Sequence, residues 1–129
     1  MNDFTNKFLE DSKKVISKLD IDKINYFVDQ LNIFKTEKKG RIFFAGSGGG
    51  AGHASHAAAD FRKLLDLECY SITDNVSELT ARINDDGWET SYSNYLKSSR
   101  FNDKDAVFIF SVGGGSVNPD VSVQLINVA

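Results

Sequence analysis

The sequence predicts a parallel α/β fold preceded by two helices. Three observations predict it: short uninterrupted apolar runs at 42–45, 69–72 and 106–110, glycine clusters directly after the first and third of them, and helix-forming segments between. Apolar runs of this length bounded by glycine suit strands buried on both faces, and alternation with helices suits a parallel sheet.

Each element has its own local reason. Phe4, Phe8, Val15 or Ile16, and Leu19 recur at helical spacing between charged residues, so the first twenty residues read as an amphipathic helix whose apolar stripe needs a partner. Ile24, Phe27, Val28, Leu31 and Phe34 repeat the pattern, with Asp20 or Asp22 as cap and Gly40 as stop. Ile42–Ala45 is the first strand. The alanine-rich segment 51–66 follows as a helix, and Cys69–Ile72 as a second strand, completing a βαβ unit. Asn84-Asp85-Asp86-Gly87 reads as an Asx turn and helix cap before a helix over 87–97. Ala106–Phe110 is a third strand. Val121, Leu125 and Val128 then suggest a last helix.

Composition bounds the function. With 129 residues, 41% hydrophobic and 26% charged, the chain is long enough for one domain. Its net charge of −3 provides no general basic field for nucleic acid or an anionic membrane surface. Cys69 is the single cysteine, which excludes a disulfide framework or a thiolate-rich metal site within one chain. No run approaches the roughly 20 apolar residues that span a bilayer, and the acidic, amphipathic N-terminus lacks a signal peptide's apolar core. A soluble cytoplasmic protein is the expectation.

Two loops invite a ligand. Gly46-Ser47-Gly48-Gly49-Gly50-Ala51-Gly52 joins a strand to a helix, where successive backbone N–H groups and the helix N-terminus favour a phosphate; the alternative is a tight βα turn. Ser111-Val112-Gly113-Gly114-Gly115-Ser116 follows the third strand and opens on the same sheet edge, with serine hydroxyls as further donors. On the helix leaving the first loop, His56 and Asp60 stand at i and i+4, where they could share a metal or act together on a proton; the alternative is a chance spacing with a histidine that is merely packed or exposed. His53, one turn earlier, reads as incidental. Asp74, ending the second strand, either binds a ligand hydroxyl or caps the next helix.

Together, GSGGGAGHASHAAAD, ITDNVSELTARINDDGW and FSVGGGS resemble the sugar isomerase (SIS) domain family, and within it the phosphoheptose isomerases. The likeness covers nearly the whole chain. It implies a three-layer α/β/α sandwich with a five-stranded parallel sheet, whose last strands are missing here, and an N-terminal helical preface over 1–40 that makes homotetramer contacts ahead of a partial phosphosugar-binding domain over 41–129. It implies a substrate loop at Ser47, Gly48 and Gly49, a zinc ligand at His56, and at Asp60 the carboxylate that both binds zinc and moves the proton. Sugar contacts fall on Asn84 and Asp85, and the phosphate loop on Ser111, Val112 and Gly113, with a further serine at Ser116. The family's glutamate is shortened at Asp60 by one methylene, about 1.5 Å. Val112 and Gly113 replace two phosphate-binding hydroxyls. A later glutamine and histidine of the family have no counterpart before Ala129, so the expectation is a fragment carrying half a catalytic site.

The implied activity is aldose–ketose isomerisation of a phosphosugar, sedoheptulose 7-phosphate to heptose 7-phosphate, for surface polysaccharide or lipopolysaccharide heptose. Rival readings are a non-catalytic phosphosugar-binding SIS module, a scaffold, and a dinucleotide-binding domain built on Gly46-x-Gly48-x-x-Ala51 with Asp74 as ribose ligand.

Overall fold

The computed structural model describes residues 2–129. The chain forms two compact units, one running to Glu37 and the other from Lys38 to Ala129.

The first unit is helical. Helix α1 (Asn2–Ser17) carries Asp3 in its first turn and Lys14 in its last, complementing the helix dipole. Helix α2 (Ile21–Ile33) opens on Asp20, whose carboxylate accepts the Lys23 N–H at 3.1 Å; of the two acids expected there, Asp20 is the cap. A π-helical turn, Phe34–Lys38, follows. The stripe read from the sequence is exposed in the single chain: Phe4, Phe8, Val15 and Ile16 on α1, and Ile24 and Val28 on α2, all face solvent.

The second unit is built on three parallel strands, β1 (Ile42–Gly46), β2 (Cys69–Ser71) and β3 (Ala106–Phe110), in the order β2-β1-β3. β1 takes the centre, paired on both edges, and is buried at every position. Its side chains alternate between two layers. Phe44 meets Phe61 of helix α3 (Gly49–Leu65) edge-on at 5.1 Å, while Phe43 meets Tyr95 at 6.3 Å and Phe101 at 5.8 Å on the opposite face. Burying each phenylalanine contributes about 2–3 kcal/mol. Ala54 and Ala58 form the inner face of α3. Ala45, Ile72, Tyr92, Leu96 and Leu125 complete the core around Phe43. Helix, sheet and helix make three layers, as expected.

Three segments differ from the sequence expectation. Asn75, not Asp74, caps helix α4 (Val76–Asp86), accepting the Glu78 N–H at 3.2 Å. Asn84, Asp85 and Asp86 form the last turn of that helix rather than an Asx turn, because the half-buried Leu79 and Ile83, Leu79 packed against the core, sustain a helical stripe that outweighs their weak helix propensity. The helix ends at Gly87, φ +91°, and helix α5 spans only Ser91–Ser98. The predicted last helix is mostly a hairpin: β4 (Ser116–Val117) pairs antiparallel with β5 (Asp120–Val121) around Asn118-Pro119, a turn dipeptide, leaving a four-residue helix α6 (Val123–Ile126).

The N-terminal ends of β1 and β3 are tied by one ion pair. Asp105 accepts from the backbone N–H of Arg41 at 2.9 Å, its Nε at 3.1 Å and its Nη2 at 2.6 Å, while Arg41 Nη1 donates to the Ser99 carbonyl.

Candidate functional site

The opposite ends of the same two strands make the site. β1 and β3 run parallel and in register from Ile42 beside Ala106 to Gly46 beside Phe110, so both glycine loops leave the sheet side by side. Between them lies an open cleft of about 760 Å³, lined by Ser47, Gly48 and Gly49 of the first loop and by Ser111, Val112, Gly113 and Ser116 of the second. Ligands of open α/β sheets bind outside the C-terminal strand ends.

Glycine is required where backbone meets backbone. A Cβ on Gly46 would strike the Gly50 carbonyl, and one on Gly50 would lie 2.6 Å from the Phe110 carbonyl oxygen. These contacts let α3 start directly against the end of β3. The Gly50 and Ala51 N–H groups close the first helical turn on the Ser47 and Gly48 carbonyls, at 2.9 and 3.0 Å. The amides ahead of them, at Gly48 and Gly49, are the orphan donors of a helix start, where the dipole favours an anion.

In the second loop the serines are already half committed. Ser111 Oγ accepts the Gly114 N–H at 2.9 Å and Ser116 Oγ accepts the Asn118 N–H at 3.2 Å. Each hydroxyl still has its own proton to donate. Val112 is fully exposed and brings no hydroxyl to the cleft. The loop can therefore receive a phosphate through two hydroxyls and its amides.

Beneath the first loop, the Tyr92 hydroxyl donates to the Gly46 carbonyl at 2.7 Å, fully buried. Burial raises the Tyr92 pKa, which the neighbouring Gln124 amide offsets only in part, so the phenol stays protonated and a donor.

The structure separates the remaining residues singled out in the sequence. His56 Nε2 and Asp60 Oδ2 stand 3.3 Å apart, confirming that the i,i+4 pair meets, but the pair is exposed and lines neither this cleft nor a smaller one on the far side of α3. Two donors fall short of the three protein ligands a catalytic zinc takes, and no group of three or more His, Cys, Asp or Glu residues suited to a metal occurs among the described residues. Asn84 and Asp85 lie at the exposed end of α4, their side chains hydrogen-bonded to each other at 2.7 Å, outside the cleft lining. Asp74 lines the smaller cleft with Arg62 and Tyr95, away from the first glycine loop. Cys69 is buried, and burial pushes its thiol up to about 11, which makes it inert.

Sequence reasoning missed five lining residues: Phe110, which it read only as the end of a strand, and His53, Val121, Ser122 and Leu125. His53 had a signal, since it sits one turn past a phosphate-type loop. The last three depend on the hairpin, which the apolar spacing concealed.

No family model matches the sequence, and no curated protein matches it. Among solved structures, the fold is similar to that of phosphoheptose isomerase GmhA from Neisseria gonorrhoeae, with a TM-score of 0.78 and 23% identity. The match covers 98% of this chain, which spans 65% of the length of that enzyme. No helix among the described residues is long and apolar enough to cross a membrane. The order of elements, the parallel sheet and the paired loops at its C-terminal edge give this chain the fold of that structure.

Proposed function

We propose that the cleft binds a phosphorylated sugar and that the protein acts as an aldose–ketose isomerase, interconverting sedoheptulose 7-phosphate and a heptose 7-phosphate in the supply of heptose for surface polysaccharide or lipopolysaccharide. One observation carries the reading: two serine- and glycine-bearing loops converge at the C-terminal ends of adjacent parallel strands and line a single cleft. The fold shared with a phosphoheptose isomerase supports it.

In this reading the phosphate rests on the Ser111 and Ser116 hydroxyls and the loop amides. The sugar then runs outward along α3. His53, His56 and Asp60 share one helix face, since seven residues bring the chain back to within about 20°. Asp60 lies about 10 Å beyond His53 along the axis. An extended seven-carbon phosphate ester is of similar length, on the order of 10 Å from bonds of about 1.5 Å. Asp60 is thus the base that removes a proton from the carbon next to the carbonyl. The enediolate that results takes the same proton back from Asp60 on the neighbouring carbon, while the hydroxyl proton passes from one oxygen to the other, so that carbonyl and hydroxyl exchange places with no net gain or loss of protons. Asn84 and Asp85 are assigned to sugar hydroxyls, and the exposed apolar faces of α1 and α2 to contacts within a cytoplasmic homotetramer.

The test is Asp60→Asn in the full-length protein. Turnover of sedoheptulose 7-phosphate falls by about 10²–10⁴-fold, while calorimetric affinity changes little; full turnover in the variant would overturn the assignment. A second reading, a phosphosugar-binding module without catalysis, is favoured by the placement of Asp60 outside the cleft lining. Binding without turnover in the unaltered full-length protein decides for it.

A further inference from the structure

We propose that His53 is a ligand-contacting residue of the cleft, donating an imidazole N–H to the phosphate of the bound sugar. The inference rests on the phosphosugar reading above and deepens it.

Position is the first argument. His53 stands in the second turn of α3, directly after the first glycine loop, and its side chain lines the cleft. Its ring lies 5.9 Å from the ring of Phe110 at an interplanar angle of 33°. Phe110 is the last residue of β3 and leads straight into Ser111. The imidazole therefore belongs to the element following one loop and packs on the residue preceding the other, bridging the two sides of the cleft.

Charge is the second argument. No lysine, arginine, aspartate or glutamate lines the cleft among the described residues; His53 is the one lining side chain able to carry positive charge. A phosphate ester bearing nearly two negative charges otherwise meets only amides, serine hydroxyls and the partial charge of one helix start.

Availability is the third. His56 is engaged by Asp60, whereas His53 makes no hydrogen bond or ion pair among the described residues and is exposed to the cleft. A neutral imidazole has one N–H and a protonated one has two, so the assignment holds in either state. Phe110 restrains the ring, which lowers the entropy lost when a ligand is gripped.

The experiment uses the full-length protein and calorimetric titration with sedoheptulose 7-phosphate, inorganic phosphate and unphosphorylated sedoheptulose. His53→Ala should weaken both phosphate-bearing probes by about 10-fold or more, the effect of losing one hydrogen bond to a charged group. His53→Gln, which restores an N–H donor, should recover most of that loss. Because His53 is exposed, the thermal midpoint of both variants should match the parent protein. Unchanged affinity in His53→Ala overturns the proposal. So does weakening confined to the sugar phosphate, with inorganic phosphate unaffected, because His53 would then contact the sugar and not the phosphate. If the unaltered protein binds neither phosphate-bearing probe, the phosphosugar reading falls and takes this proposal with it, a failure visible before any substitution is made.

Discussion

The two ends of β1 and β3 are built by opposite means. At the N-terminal ends, charged side chains do the fastening: Asp105 is only 2% exposed and accepts from the guanidinium and backbone of Arg41 and from the backbone N–H and side-chain amide of Asn102, at 3.1 and 3.0 Å. At the C-terminal ends no charged side chain fastens the strands, and Gly46, Gly50 and Phe110 approach through their backbones. A buried ion pair is directional and holds register, whereas glycine brings main-chain donors close to one another without filling the space between them. Fixing the strands at the end where no ligand goes allows the other end to be lined by amides and hydroxyls, arranged before a ligand arrives.

The comparison breaks most sharply at Gly50. Replacing it with alanine puts a Cβ 2.6 Å from the Phe110 carbonyl oxygen, a collision with main chain that no side-chain rotation relieves. The start of α3 must move away from β3, at a cost of about 1–3 kcal/mol in stability. Since both loops hang from this contact, affinity for sedoheptulose 7-phosphate is expected to fall by more than 100-fold while the protein remains folded by circular dichroism. Wild-type affinity in Gly50→Ala would mean that the loops are placed by something other than this approach.

At the other end, Asp105→Asn should do the reverse, lowering stability and sparing the site. Removing one partner of a buried pair costs about 3 kcal/mol, toward the low end of such cases because Arg41 keeps some access to water. A drop on the order of 10 °C in the thermal midpoint is expected, with sedoheptulose 7-phosphate affinity within about threefold at a temperature where the variant is folded. The same pair contributes to stability in acid. Burial works to raise the Asp105 pKa, but the hydrogen bonds from Arg41 and the Asn102 amide outweigh it and hold the carboxyl below its ordinary value. A lowered folded pKa means that this stability is complete above about pH 4 and drains as pH falls through the folded value. Acid unfolding followed from pH 5 downward should therefore be less steep in Asp105→Asn than in the parent protein. Parallel curves would show that Asp105 does not carry the effect.

Much of this contrast was legible in the residues. The three strands stood out because each is an unbroken apolar run, and the two loops because glycine and serine cluster at the strand ends. The i,i+4 spacing of His56 and Asp60 announced a contact that the helix then makes. What stayed hidden depends on packing that local pattern does not encode. Glycine is a poor helix former, yet α3 begins at Gly49 because Gly46, Gly50 and Phe110 allow close approach; the resulting cleft has His53, not His56, on its wall. The polar run Asn84–Asp86 looks like a turn and is helical because its upstream stripe is. Val121, Leu125 and Val128 have helical spacing, but Asn118-Pro119 turns the chain into a hairpin, and only Leu125 of the three is deeply buried.

The smallest of these effects tests whether the open end has a side-chain fastening of its own. Tyr92→Phe removes the hydroxyl that donates to the Gly46 carbonyl at 2.7 Å and changes little else in volume. A buried carbonyl left without its partner costs about 1–3 kcal/mol, so a fall in thermal midpoint of several degrees is expected. If the bond only supports the core, affinity for sedoheptulose 7-phosphate stays at the parent value once the variant is compared at a temperature where it is fully folded. The position of Gly46 favours a further loss. It precedes Ser47 directly and packs on Gly50, so freeing its carbonyl loosens the peptide that aims the Gly48 and Gly49 amides. An additional threefold to tenfold weakening, beyond what partial unfolding accounts for, is therefore the expected outcome; without it, the backbone contacts alone hold the first loop.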